Sequence, residues 1–152
     1  GPDHADTADT YNSMAVVLVN QGKPEEAMTL YRKVLDIRLK ALGPDHADTA
    51  NAYNALGYAL YEQGQLEEAL EKCQKALDIQ LKALGETDFF TACILYSIGE
   101  ILFQQGGKLE EAAEFGQRAL EIFLQVHGPG HHSTVAGREL MDTIHAELLT
   151  ER

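Results

Sequence analysis

Three histidines, His127, His131 and His132, gather around Gly128-Pro129-Gly130. They suit metal chemistry best among the residues of this chain, because neutral imidazole is a common ligand. No carboxylate or thiolate stands nearby at ligand spacing, so the expectation is a solvated loop with no metal and no cofactor. The only cysteines, Cys73 and Cys93, have no second pair with which to form a framework and are expected to be reduced thiols. Paired glutamates at Glu25-Glu26, Glu67-Glu68 and Glu110-Glu111 could be catalytic only if they faced each other in a cleft; their regular recurrence marks them as solvated scaffold residues. Neither a phosphate-cradling GxxxxGK[ST] nor HExxH, GxSxG or CxxC occurs, and the chain is expected not to be an enzyme.

The balance of charge narrows the partners. Twenty-four acidic residues against 12 basic ones give a formal net charge of -12 over 152 residues. Such a surface repels phosphate backbones and anionic headgroups, which argues against nucleic acid and membrane partners. No apolar run approaches the roughly 20 residues that span a bilayer, and no basic-then-apolar leader opens the sequence. With 45 % hydrophobic residues a core is available. The expectation is one soluble, cytoplasmic folding unit.

What must position these side chains is a repeat. The string GPDHADTA at Gly1 to Ala8 returns unchanged at Gly43 to Ala50, a period of 42 residues. QGKPEEAMTLYRKVLDIRLKAL from Gln21 is answered by QGQLEEALEKCQKALDIQLKAL from Gln63, and by a third copy from Gln104 with one extra residue at Gly106-Gly107. The predicted units are 1–42, 43–84 and 85–127, followed over 128–152 by a half-repeat or capping helix.

Each unit divides into two helices. Tyr53, Leu56, Gly57 and Leu60 fall on one helical stripe, and Leu66, Ala69, Leu70, Cys73, Ala76 and Leu77 on a second. Gly64 between them suits the left-handed turn after a helix C-terminus, and Pro24 suits the first turn of the next helix. Small residues recur at Ala15, Gly57 and Gly99 on the first helix, and at Ala27, Ala69 and Ala112 on the second, where two axes can approach closely. A hairpin of this kind cannot bury both faces, so neighbours must stack. His4 and His46 recur with the loop string, and each is expected to make a local hydrogen bond at a helix start.

These positions resemble the tetratricopeptide repeat, from Tyr11, Tyr53 and Leu95 through Leu18, Leu60 and Leu102 to Val34, Ala76 and Ala119. The long period and the GPDHADTA opening look like the kinesin-light-chain subclass. The resemblance implies an all-α fold: a right-handed superhelix, or α-solenoid, of antiparallel helix pairs with about three and a half units. The sequence departs from the pattern at ETDFFTAC in copy three, at Gly116 where Tyr31 and Cys73 stand, and at Asp142 in the small-residue position of the last helix. Gly116 is expected to admit an aromatic such as Phe103 or Phe123, and Asp142 to mark a cap.

In this family the first helices line a concave, peptide-binding face. The resemblance places there Asn12, Val16, Val19 and Asn20 from copy one, Asn54, Tyr58, Tyr61 and Glu62 from copy two, and Tyr96, Glu100, Phe103 and Gln104 from copy three. Asn12 and Asn54 match the asparagine of the kinesin-light-chain pattern, whose amide can donate and accept at once. The aromatics offer rigid contact area, with the main anchor expected between copies two and three. The competing expectation is that they pack between adjacent repeats. No lysine or arginine occurs among these positions, which favours a neutral or basic peptide with apolar anchors. The function so implied is a protein-interaction scaffold or adaptor; the alternative is a structural spacer, or self-association through end repeats.

Overall fold

The structure, a computed structural model, describes residues 5–151. Among them the chain forms seven helices and no strand: α1 (Ala5–Asn20), α2 (Pro24–Leu42), α3 (Ala47–Glu62), α4 (Leu66–Ala83), α5 (Phe89–Gln105), α6 (Leu109–His127) and α7 (His132–Thr150). His4 and its expected hydrogen bond lie outside the described residues. Two compact units result, Gly1–Ala83 and Leu84–Arg152. In the first, α1 packs on α2, α2 on α3 and α3 on α4; in the second, α5 packs on α6 and α6 on α7.

The breaks fall where backbone chemistry requires them. Gly64 turns the chain between α3 and α4 at φ +80°, and Gly43 closes α2 at φ 88°, ψ 174°, a combination essentially restricted to glycine. Pro24 opens α2, and Glu25-Glu26, Glu67-Glu68 and Glu110-Glu111 sit in the first turns of α2, α4 and α6, where the helix dipole favours negative charge. Buried threonines tie two of the loops to the helices they feed: the Thr49 and Thr91 hydroxyls donate to the carbonyls of Gly43 and Gly85, both at 2.8 Å.

Close helix approach is set by the recurring small residues, all of them buried. A Cβ on Gly57 would stand 2.5 Å from Cys73 Sγ and 3.1 Å from the Ala69 carbonyl oxygen, so α3 and α4 meet here with no room for a methyl group. Gly116 behaves differently from its sequence expectation. A Cβ there would meet Met141 Sδ at 2.7 Å, Leu140 and Ile144, so the glycine admits aliphatic side chains of α7 and not Phe103 or Phe123. The expectation missed this because the donor of the bulky group lies on the following helix. Asp142 is exposed on α7, while Thr134, Gly137, Met141 and Ile144 are buried.

Arg38 adds a tie that the pattern does not advertise. It is buried, and its guanidinium donates to the Asp48 carbonyl at 3.1 Å and to Asp9 Oδ1 at 3.2 Å, joining α2 to both α3 and α1. The same repeat position holds Gln80 in α4 and Phe123 in α6, both buried.

Gly57→Ala is expected to lower stability by about 1–3 kcal/mol through overpacking, despite the gain of about 1 kcal/mol in helix propensity. Cys73→Ala should restore part of that loss, because it removes the nearer of the two obstacles. Gly116→Ala should cost less, since it meets the end of a flexible methionine. Urea unfolding of the three variants and the double variant checks the order; equal losses at Gly57 and Gly116 would contradict it.

Candidate functional site

The expected binding positions fall on the first helices and differ in how far each is exposed. On α1, Val16 and Asn20 are exposed and Asn12 and Val19 half-buried. On α3, Tyr58 is 37 % exposed and its ring lies 5.5 Å from that of half-buried Tyr61, at 45°. The pair forms one aromatic surface. Asn54, one turn before Tyr58, is half-buried and accepts a hydrogen bond at 3.6 Å from Cys73 Sγ. That bond uses one acceptor position of the amide and neither of its donors. Glu62 is exposed. Burial, followed by the Glu62 carboxylate, raises the Tyr31 phenol above its ordinary value and keeps it neutral.

In the second unit Tyr96, Glu100 and Phe103 are half-buried and Gln104 is exposed. The Tyr96 ring lies 6.4 Å from that of Phe123 on α6, so this tyrosine leans on the second helix of its own hairpin. Phe89 joins the same group, 5.7 Å from Phe123, 5.7 Å from Phe90 and 4.8 Å from the His127 ring. Sequence reasoning did not assemble this cluster. Its signal was the departure ETDFFTAC, which puts Phe89 where copy two has Ala47.

The histidines stack instead of converging on a point. His127 and His131 lie 4.0 Å apart at 14°, and His131 and His132 4.2 Å apart at 33°. His131 Nδ1 accepts from the Ser133 N–H at 3.2 Å, which caps α7. His46 Nδ1 does the same for the Asp48 N–H at 3.0 Å, and the Asp88 carboxylate for the Phe90 N–H at 2.8 Å. All three occupy one place in the repeat, and the local hydrogen bond expected at His46 is present. Among the described residues no group of three His, Cys, Asp or Glu side chains is placed to hold a metal ion.

The thiols are equally unsuited to chemistry. Both are free, and burial pushes Cys73 up to about 12 and Cys93 up to about 11, the latter helped by Asp88. Neither would be a thiolate near neutral pH. Glu68, expected to be only solvated, also pairs across the first unit with Arg32 of α2 at 3.4 Å.

Tandem antiparallel helix pairs with small residues at their crossing define a helical-repeat protein. The tetratricopeptide repeat family matches residues 6–82 and 49–125, and the chain belongs to it. That family is a non-enzymatic repeat fold that generally serves protein–protein interaction. No curated protein matches. Among solved structures, BtubC (BKLC) from P. vanneervenii is similar with a TM-score of 0.82 at 17 % identity over 94 % of this chain. This chain spans 57 % of the length of that one. The nearly identical TPR-like repeats described for a kinesin light chain of Podosopora anserina give 0.72 at 22 % identity, covering 95 % of this chain and 68 % of theirs. The N-terminal domain of stress-induced protein-1 from C. elegans gives 0.61 at 19 %, covering 90 % of this chain and 95 % of that one. The fold is thus the kinesin-light-chain-like form of the repeat.

The cap of α7 has a pH consequence. Desolvation, then His127, then His132 lower His131 below its ordinary 6.5. The folded state therefore holds the neutral ring, and the stabilisation is complete above 6.5. As pH falls through that value the unfolded chain takes up the proton first, and stability is lost until the lowered folded value is passed. His131→Asn keeps a capping acceptor without titrating. Unfolding midpoints measured from about pH 7.5 down to about pH 5 should fall less steeply in this variant than in wild type, and parallel curves would remove His131 from the account.

Proposed function

We propose that this chain is a scaffold or adaptor module that holds a short peptide or partner helix against the first-helix face of its units. The observation that carries the reading is the Tyr58–Tyr61 pair, a partly exposed aromatic surface on α3 with Asn54 one turn away. Rigid aromatics supply most of the energy in interfaces of this kind, and an amide beside them suits a peptide backbone. Asn12, Val16, Val19 and Asn20 extend the same face along α1, and in the second unit Tyr96, Glu100, Phe103 and Gln104 hold the corresponding positions on α5. None of these positions is basic, so the ligand is neutral or basic and anchors through apolar groups. Cytoplasmic action is part of the proposal, supported by two free cysteines.

A second reading, self-association of this chain, is favoured by α1. Met14 is 48 % and Val17 51 % exposed, and with Thr10, Ser13 and Leu18 they line a shallow depression. Their repeat equivalents on α3, Leu56 and Ala59, are buried. Met14→Glu should abolish any concentration-dependent rise in light scattering; a purely monomeric wild type across a wide concentration range would remove this reading.

Tyr58→Ala should weaken binding of a partner, captured first with the wild-type chain, by about 2 kcal/mol, and Val16→Ala by well under that. Asn54→Ala should also reduce capture, although loss of the Cys73 contact requires the comparison at matched folding. Equal losses at Val16 and Tyr58, with unfolding midpoints unchanged, would move the anchor off α3. Undiminished capture by both Asn54→Ala and Tyr58→Ala would sink the peptide-face reading.

A further inference from the structure

Two features of the second unit lie outside the face proposed above: the aromatic pair Phe89-Phe90 and the histidines that follow α6. In the first turns of α1 and α3 the place of Phe90 is taken by Asp6 and Asp48, where negative charge suits the helix dipole. Phe90 forgoes that stabilisation and leaves an aromatic side chain 53 % exposed. Its ring lies 5.7 Å from that of Phe89, Phe89 lies 4.8 Å from His127, and His127 lies 4.0 Å from His131. Four rings thus run in series from the start of α5 past the end of α6 to the start of α7. Phe90 and His127 are exposed, and Phe89 and His131 half-buried. His46 and Asp48, which hold the places of His131 and Phe90 at the start of α3, are exposed as well, although α2 and α4 both pack on that helix. Exposure here belongs to the repeat position and does not depend on which helices follow.

We infer that this row of rings, with the carboxylates of Glu86 and Asp88, is a docking patch for an arginine-bearing segment of a partner protein. Charge and shape together select arginine. Residues 84–90 and 124–135, which carry the rings, contain Glu86 and Asp88 but neither lysine nor arginine, and the whole chain bears a net charge of -12. Such a surface draws a cation and repels an anion. The Asp88 carboxylate accepts from the Phe90 N–H at 2.8 Å, which fixes it in the turn that presents the ring, and Glu86 is exposed in the same loop. His131 is held below its ordinary value by desolvation and its histidine neighbours, so at neutral pH its ring adds flat surface without adding positive charge. A guanidinium lies flat on an aromatic face while its N–H groups meet a carboxylate; an ammonium has no face to stack. None of these residues belongs to the first-helix positions proposed above, so the two readings fail independently.

The test uses the full chain and labelled synthetic peptides with glycine and serine spacers, identical except that the residues between the spacers are all arginine, all lysine or all glutamate. In fluorescence anisotropy titrations the arginine peptide should bind about threefold or more tightly than the lysine peptide, the margin of a cation–π contact at an exposed site, and the glutamate peptide should not bind. Phe90→Ser, which matches the residue type that α7 carries at this place, should weaken the arginine peptide about fivefold with the unfolding midpoint little changed. Glu86→Gln, at an exposed position, should weaken it about twofold, whereas Tyr58→Ala should leave it unchanged. The ring proton resonances of His127 and His131 should shift when the arginine peptide binds. Equal affinities for the arginine and lysine peptides, indifference to Phe90→Ser, or no binding overturn the proposal. Binding of a thymidine oligonucleotide that Phe90→Ser removes assigns the rings to single-stranded nucleic acid, and a dimer in sedimentation that Phe90→Ser dissociates assigns them to a second copy of the chain; either result overturns it equally.

Discussion

A methyl group at Gly57 would run into Cys73 Sγ and press on the Ala69 carbonyl of α4, and the close approach of each helical pair depends on a small residue at this place. Two helices brought this close bury their neighbours Leu56, Leu60, Ala76 and Leu77 around the crossing point, and the hydrophobic gain is distributed over those side chains. Replace the small residues and the axes must separate, opening gaps along the whole pair. In the second unit the same role passes to Gly99, whose Cβ would touch the Gly116 nitrogen at 3.3 Å and the Ala112 carbonyl at 3.4 Å. Gly116 in turn leaves room for Met141, so one tight crossing is coupled to the docking of the next helix.

The residues at one buried place of the second helices vary while the small-residue crossings within hairpins recur. At one place in the second helix the chain has Arg38, Gln80 and Phe123, all buried, and each solves the burial problem by different chemistry. Arg38 satisfies its guanidinium on a carbonyl and a carboxylate. Phe123 builds an aromatic stack that reaches Phe89, Tyr96 and, through Phe89, the histidines. A repeat protein tolerates this because each interface is nearly a separate nearest-neighbour problem. The helix caps show the same economy: His46, Asp88 and His131 are different side chains, but each accepts from the backbone N–H two residues on.

Function in such a scaffold resides in what the helices leave uncovered. Nearly half of the acidic residues lie on α2, α4 and α6, most of them exposed, and specify no ligand by themselves. On the proposed reading, specificity comes from places where apolar surface and polar groups adjoin, such as the Tyr58–Tyr61 pair beside Asn54.

Much of the fold was legible in the sequence. Period, helix boundaries, Gly64 as a turn and the alignment of Ala15, Gly57 and Gly99 all follow from local chemistry repeated at fixed spacing, and repetition makes a weak local preference unambiguous. The candidate face was legible as positions on helices, since i, i+4 and i+7 share a face whatever surrounds them. What those side chains touch was not. Asn54 turned to Cys73, Tyr96 leaned on Phe123, and Gly116 received Met141 where an aromatic was expected. Each of these partners lies on another helix, often many residues away, and only three-dimensional packing decides which of several neighbours of suitable size fills a gap. Periodicity determined which face a residue occupies; tertiary structure decided its partner, because contacts between helices depend on axial distance and rotamer, which a linear pattern does not encode.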